Sequence, residues 1–165
     1  MYAVGEYVVH PGQGVCKVEG MSSDNSAYQL VQVGQRNPMH LSVPVASEGR
    51  LRPVLSRGEA QRLIEDYDSL ELEDAPRVAG MSEEELYRER IRTGSCRDNV
   101  RIVKTFRARI ADVKAHNKKP PVAYERILKR ASQRSLSELA VALGTTPEDV
   151  VALFEAQEGE EPSQN

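Results

Sequence analysis

The residues able to do chemistry are few and poorly matched to one another. The chain of 165 residues holds three histidines, His10, His40 and His116, and two cysteines, Cys16 and Cys96. None of the histidines stands at metal-ligand spacing from another or from a cysteine, so the pattern points away from a zinc site. Cys96 follows Ser95 at an expected helix start, where a thiol could be activated, although a small core residue explains it equally well. The stretch "DYDSLELED" (66–74) spaces its carboxylates without the central glycine of a calcium loop. The turn "PGQG" (11–14) has no Lys–Ser/Thr pair and leads into β-forming residues, so it reads as a turn rather than a phosphate loop. No nucleophile–base pairing stands out, and an enzyme is the weakest reading. No cofactor is expected.

The charge distribution is more informative. The formal net charge is −3, yet 86–134 carries 15 Lys/Arg against 4 Asp/Glu, and the rest of the chain 7 against 21. A basic block between acidic flanks suits a polyanion, because neutralised phosphates release counterions. It also suits a solvated helical face. Within the block only Glu89, Asp98, Asp112 and Glu125 are acidic, too dispersed for the metal cluster of a nuclease.

These side chains must be carried by two kinds of element. Up to about residue 54 the sequence alternates like strands: "EYVVH" and "VCKVEGM" around the turn, then "AYQLVQV", "HLSVPVA" and a short run near "LRPVL". Pro44 gives a ladder no N–H, which puts its strand at a sheet edge. Helical periods follow. Ser56 with Glu59 and Ser82 with Glu85 have the spacing of capping boxes, and Met81 and Leu86 occupy hydrophobic-staple positions. Helices are expected from Ser56, from Ser82 to Gly94, from about Ser95 to His116, over 122–143, and from Pro147 with Thr146 as cap. The stretch "SLELEDAPRVAG" (69–80) reads as a connector. The two thiols are expected to be reduced. No apolar run approaches the ~18 residues of a membrane span. The N-terminus lacks the basic and apolar regions of a secretory leader.

On the helices, Arg88 and Arg92 share a face, as do Arg126, Lys129 and Arg130. If those two helices pack side by side, the clusters form a stripe suited to backbone phosphates, which position a protein without reading sequence.

Three stretches together carry a resemblance: "VGEYVVHPGQGVCKV" (4–18), "SVPVASEGRLRPVLS" (42–56) and "YRERIRTGS" (87–95). They are similar to the CarD/CdnL family of bacterial RNA polymerase-binding transcription regulators, and "YERILKRASQRSLSELA" (124–140) fits the family's last helices. The resemblance covers residues 1–157. It implies two domains: a small antiparallel β domain of Tudor/SH3-like type at 1–55, and an all-α domain at 56–157, followed by a disordered acidic tail at 158–165. It further implies that the β domain grips the RNA polymerase β subunit and that the helices touch promoter DNA, largely independent of sequence, at the upstream edge of the melted region. Open-complex stability is thereby modulated without catalysis. The positions matching the polymerase contacts are Leu30, Ser42 and Pro44. Those matching the DNA face are Arg90, Arg92 and Arg126, and helical spacing extends the set to Arg88, Lys129 and Arg130. Many relatives place a Trp before the first basic helix as a wedge into the DNA bubble. This chain has no Trp, and Met81 stands in that region either as a substitute wedge or as a staple residue. Ser42 stands where relatives carry a larger or basic side chain, and the connector after the second basic helix is longer. The protein is expected to be a cytoplasmic monomer associated with the nucleoid through the polymerase. The alternative is a protein–protein adaptor that docks the polymerase or another partner and leaves DNA alone.

Overall fold

The computed structural model describes residues 1–74 and 76–159. The proposed tail at 158–165 therefore falls largely outside the described residues, with only the backbone of 158 and 159 inside, closing the last helix.

Five strands build the first part: β1 (Tyr7–His10), β2 (Gly14–Met21), β3 (Ala27–Gln32), β4 (His40–Pro44) and β5 (Arg52–Pro53). They form one antiparallel sheet in the order β4–β3–β2–β1–β5. Alternation along the strands explains its single filled face. Val8, Cys16, Val18, Tyr28, Leu30, Val43 and Leu51 are buried together, and a bulge between Val18 and Gly20 bends the sheet over them. The 11–14 turn closes β1 on β2. Gly14 sits at φ +78°, where a side chain would be strained. The edge position expected from Pro44 is what the strand order gives. Beyond it a 3₁₀ segment, Val45–Arg50, replaces the remainder of the expected strand.

The helices are α1 (Arg57–Glu65), α2 (Glu83–Thr93), α3 (Cys96–Ala115), α4 (Val122–Leu143) and α5 (Pro147–Gly159). Both expected capping boxes are formed, Ser56 with Glu59 and Ser82 with Glu85, and a third at Ser95 with Asp98 starts α3. Gly144 ends α4 in the left-handed conformation at φ +67°. Thr146 accepts the Asp149 N–H at 3.2 Å and caps α5. The central helix α4 packs against α1, α2, α3 and α5, and also against β2 of the sheet. One helical core gathers Ala60, Leu63, Ile64, Cys96, Val100, Leu139 and Val150. The other centres on Tyr87, Ile91, Ile102, Phe106, Ile127 and Ala131. Tyr87, Phe106 and Tyr124 meet edge to face, with the Arg109 guanidinium over all three rings. No helix among the described residues is long and apolar enough to cross a membrane.

Sheet and helices are joined by charged contacts. Glu138 of α4, 1% exposed, receives both guanidinium ends of Arg52 at 2.6 and 2.8 Å and the Leu55 N–H at 3.2 Å. Arg134, one turn earlier, donates to the His10 carbonyl at 2.9 Å and the Arg92 carbonyl at 3.3 Å.

Candidate protein- and nucleic-acid-binding surfaces

One edge of the sheet is β4. Gln32 donates to the Met39 carbonyl and Val45 to the Ser26 carbonyl, both in register with the β3–β4 pairing. In an antiparallel ladder hydrogen-bonded pairs alternate with open ones. Leu41 and Val43 therefore turn their backbone groups toward β3. His40, Ser42 and Pro44 turn theirs outward, and Pro44 offers only its carbonyl. Ser42 and Pro44 are exposed, so the edge they share is open to a partner strand. Leu30 is different. It is fully buried under β3 and cannot present its side chain to a partner. This corrects the expectation, carried by the resemblance, that it is a contact: the alternation of β3 points its side chain into the core beside Tyr28. His40 flanks the edge and pairs with Glu19 at 3.1 Å.

The basic residues divide into groups. Helices α2 and α4 do lie side by side, and Arg88, Arg92 and Arg130 line one cleft of about 320 Å³ together with Arg134 and the 11–15 turn of the sheet. Arg88, Lys129 and Arg130 are exposed and have no ion-pair partner among the described residues. Arg92 is held by Glu89 at 2.6 Å, an exposed pair of small energetic weight. Arg126 faces Glu84 at 3.8 Å across to the start of α2, and Lys129 sits outside the cleft lining. Arg90 departs from expectation. Its guanidinium is bonded to Glu73, whose side chain is 10% exposed and also binds Arg101 at 3.3 Å. Arg90 is thereby tied to the 69–80 stretch through a largely buried carboxylate.

The 69–80 stretch is thus more than a connector. Besides Glu73, it gives the Glu71 carbonyl to Arg101 and the Leu70 carbonyl to Lys104, whose ammonium also binds the carbonyls of Tyr67 and Asp68. The acidic segment covers the basic face of α3 and leaves the α2–α4 face open. Sequence spacing gives each helix's own face but not which acidic loop folds back onto which face, so Glu73 and the Arg134–Glu138 junction escape it. Met81 is 41% exposed immediately before α2.

The remaining chemical candidates are quiet. Cys16 and Cys96 are free and buried. Burial raises the Cys16 thiol to about 11 and, with Glu138 nearby, holds Cys96 well above the usual thiol range. The activation conceivable for Cys96 at a helix start is overridden by desolvation. His10 accepts the N–H groups of Gly12 and Gln13 on Nδ1 at 3.1 and 3.2 Å. Burial, then Arg134 and Arg50, lower its pKa, which keeps that acceptor unprotonated. The turn's amides are therefore spent within the turn, against a phosphate loop. No group of three or more His, Cys, Asp or Glu suited to a metal occurs among the described residues.

Compared with known protein families, residues 2–55 match the CarD-like/TRCF RID domain, a domain of RNA polymerase-interacting proteins. The matched segment coincides with the five-stranded sheet and its open β4 edge. No curated protein matches the chain.

Proposed function

We propose, from the membership of residues 2–55 in the CarD-like/TRCF RID family, that the protein is a bacterial, cytoplasmic transcription regulator that docks the RNA polymerase β subunit through its sheet. Its helices contact promoter DNA and modulate open-complex stability. The domain match carries the first half of this reading, and the outward backbone groups of His40, Ser42 and Pro44 supply the means: a strand of the partner adds to β4 through main-chain hydrogen bonds. The second half is supported by the unpaired Arg88, Lys129 and Arg130, with Arg92 and Arg126 in exposed pairs that exchange readily for phosphate. Arg90 belongs to the fold and is excluded from this set. On this reading Met81 is the apolar side chain pressed against unstacked bases, a role that its exposure before α2 supports. The protein acts by binding, as a monomer, without cofactor or catalysis.

Two features let these halves act together. The Arg52–Glu138 junction fixes the sheet against α4, so a polymerase bound at one end sets the direction of the basic face. Phosphate contacts without base contacts give affinity at any sequence, and the polymerase then supplies promoter specificity.

Binding of the full-length protein to forked DNA, measured against salt, tests the second half. Five phosphate contacts predict a log–log slope of about −4. Arg88→Glu with Arg130→Glu should abolish DNA binding and spare polymerase binding. The adaptor reading is favoured by the carboxylates standing beside Arg92 and Arg126. It wins if DNA binding is undetectable at low salt while the polymerase still binds.

A further inference from the structure

The cleft between sheet and helices has a composition that DNA contact does not explain. Its lining brings four arginines together, Arg88 and Arg92 from α2 and Arg130 and Arg134 from α4, and it contains no carboxylate. Two of the four, Arg88 and Arg130, have no counter-charge among the described residues. Arg134 is deeper than the others. Its Nε is out of contact with solvent and has no hydrogen-bond partner, although the same guanidinium reaches the His10 and Arg92 carbonyls through its other end. Burial, followed by the charge of Arg52, lowers its pKa, with Glu138 opposing the shift and Arg92 adding to the repulsion. A buried donor without a partner is costly, and the unpaired charges of Arg88 and Arg130 in the same lining add to that cost. A site of this kind is stabilised by an anion.

We propose that this cleft binds a small phosphate-bearing anion with at least two phosphoryl groups, held by the guanidiniums of Arg88, Arg130 and Arg134 across the junction of sheet and helices. The size favours such a ligand over a duplex. About 320 Å³ admits a polyphosphate chain, whereas a DNA backbone reaches only the exposed arginines at the rim. A lone orthophosphate fills only part of that volume and cannot span the arginines of both helices. The loop amides take no part, because Gly12 and Gln13 donate to His10. Recognition therefore rests on guanidinium forks, the usual geometry for phosphate oxygens. Because the lining joins Gly12 and Val15 of the sheet side to α2 and α4, a bound anion also ties the two halves together.

The test is calorimetric titration of the full-length protein at low salt with sodium tripolyphosphate, adenosine triphosphate and orthophosphate. The expected result is one saturable site per chain for the first two and much weaker binding of orthophosphate. Equal affinity for tripolyphosphate and the nucleotide identifies the phosphate chain alone as the ligand. Tighter binding of the nucleotide adds a contact to its nucleoside. Arg88→Ala with Arg130→Ala should weaken tripolyphosphate at least tenfold. Lys118→Ala with Lys119→Ala, exposed on the α3–α4 connection away from the cleft, should leave it unchanged. Arg134→Lys should weaken tripolyphosphate while leaving forked-DNA binding intact, which separates this site from the DNA face. Saturation should raise Tm by about 5 °C or more at a hundredfold excess over Kd. Absence of saturable binding, or an equal loss in the lysine variant, overturns the proposal and leaves the DNA and polymerase readings standing.

Discussion

The junction between sheet and helices makes the most demanding prediction. Glu138 is 1% exposed and accepts three hydrogen bonds, two from Arg52 and one from the Leu55 N–H. Arg52 is partly open, its side chain 31% exposed. The two halves of the pair should therefore respond differently to truncation. Glu138→Ala frees Arg52 to reach water but leaves the Leu55 N–H without an acceptor and opens a void, at a cost of about 3 kcal/mol, the low end for breaking a buried pair. At roughly 2–4 °C per kcal/mol for a chain of this size, Tm falls by roughly 6–12 °C. Arg52→Ala leaves a carboxylate in the interior with only one N–H, which costs more, about 4–5 kcal/mol near pH 7.5. Urea unfolding of the two variants measures both costs. A deficit below about 1 kcal/mol in each variant, or a larger deficit for Glu138→Ala than for Arg52→Ala, refutes the reasoning.

The cysteines should be inert in the folded protein: neither Cys16 nor Cys96 reacts appreciably with iodoacetamide at pH 8, and both react once urea unfolds the chain, as mass spectrometry reports. Rapid native labelling of Cys96 would contradict its burial. His10 titrates below its unfolded value, so the unfolded chain takes up its proton first on acidification. Its contribution is complete above about pH 6.5 and is lost as pH falls from there toward the folded value. His10→Asn should flatten the Tm-against-pH curve in that window, and an unchanged slope would count against the turn geometry. Gly144 holds the left-handed end of α4 at φ +67°, so Gly144→Ala should cost about 1 kcal/mol in urea unfolding; no change would refute the strain.

Local patterns in this sequence were strong where the physics is local. Capping boxes at Ser56 and Ser82 and the turn before β2 depend on residues within a few positions, and each formed where its spacing placed it. The β4 edge was signalled by Pro44, because proline gives the ladder no N–H and so favours an edge position. What spacing could not supply was the partner across the fold. Arg90 and Arg92 look equivalent along α2, yet one meets Glu73 from a distant loop and the other meets Glu89 on its own helix. Leu30 came into the contact set by resemblance alone, whereas the alternation of β3 sets it beside Tyr28 in the core. Likewise Glu138 reads as one more polar residue on α4 until Arg52, 86 positions earlier, is brought against it.

The claim that the exposed β4 edge holds the polymerase is tested most directly by binding of the full-length protein to purified RNA polymerase β subunit, comparing wild type with Ser42→Pro. The substitution removes an outward N–H while sparing the β3–β4 ladder, so the fold, checked by circular dichroism, persists. The account predicts that wild type binds and that Ser42→Pro loses at least tenfold in affinity. Undetectable binding of the folded wild type, or equal binding of the two proteins, would contradict it.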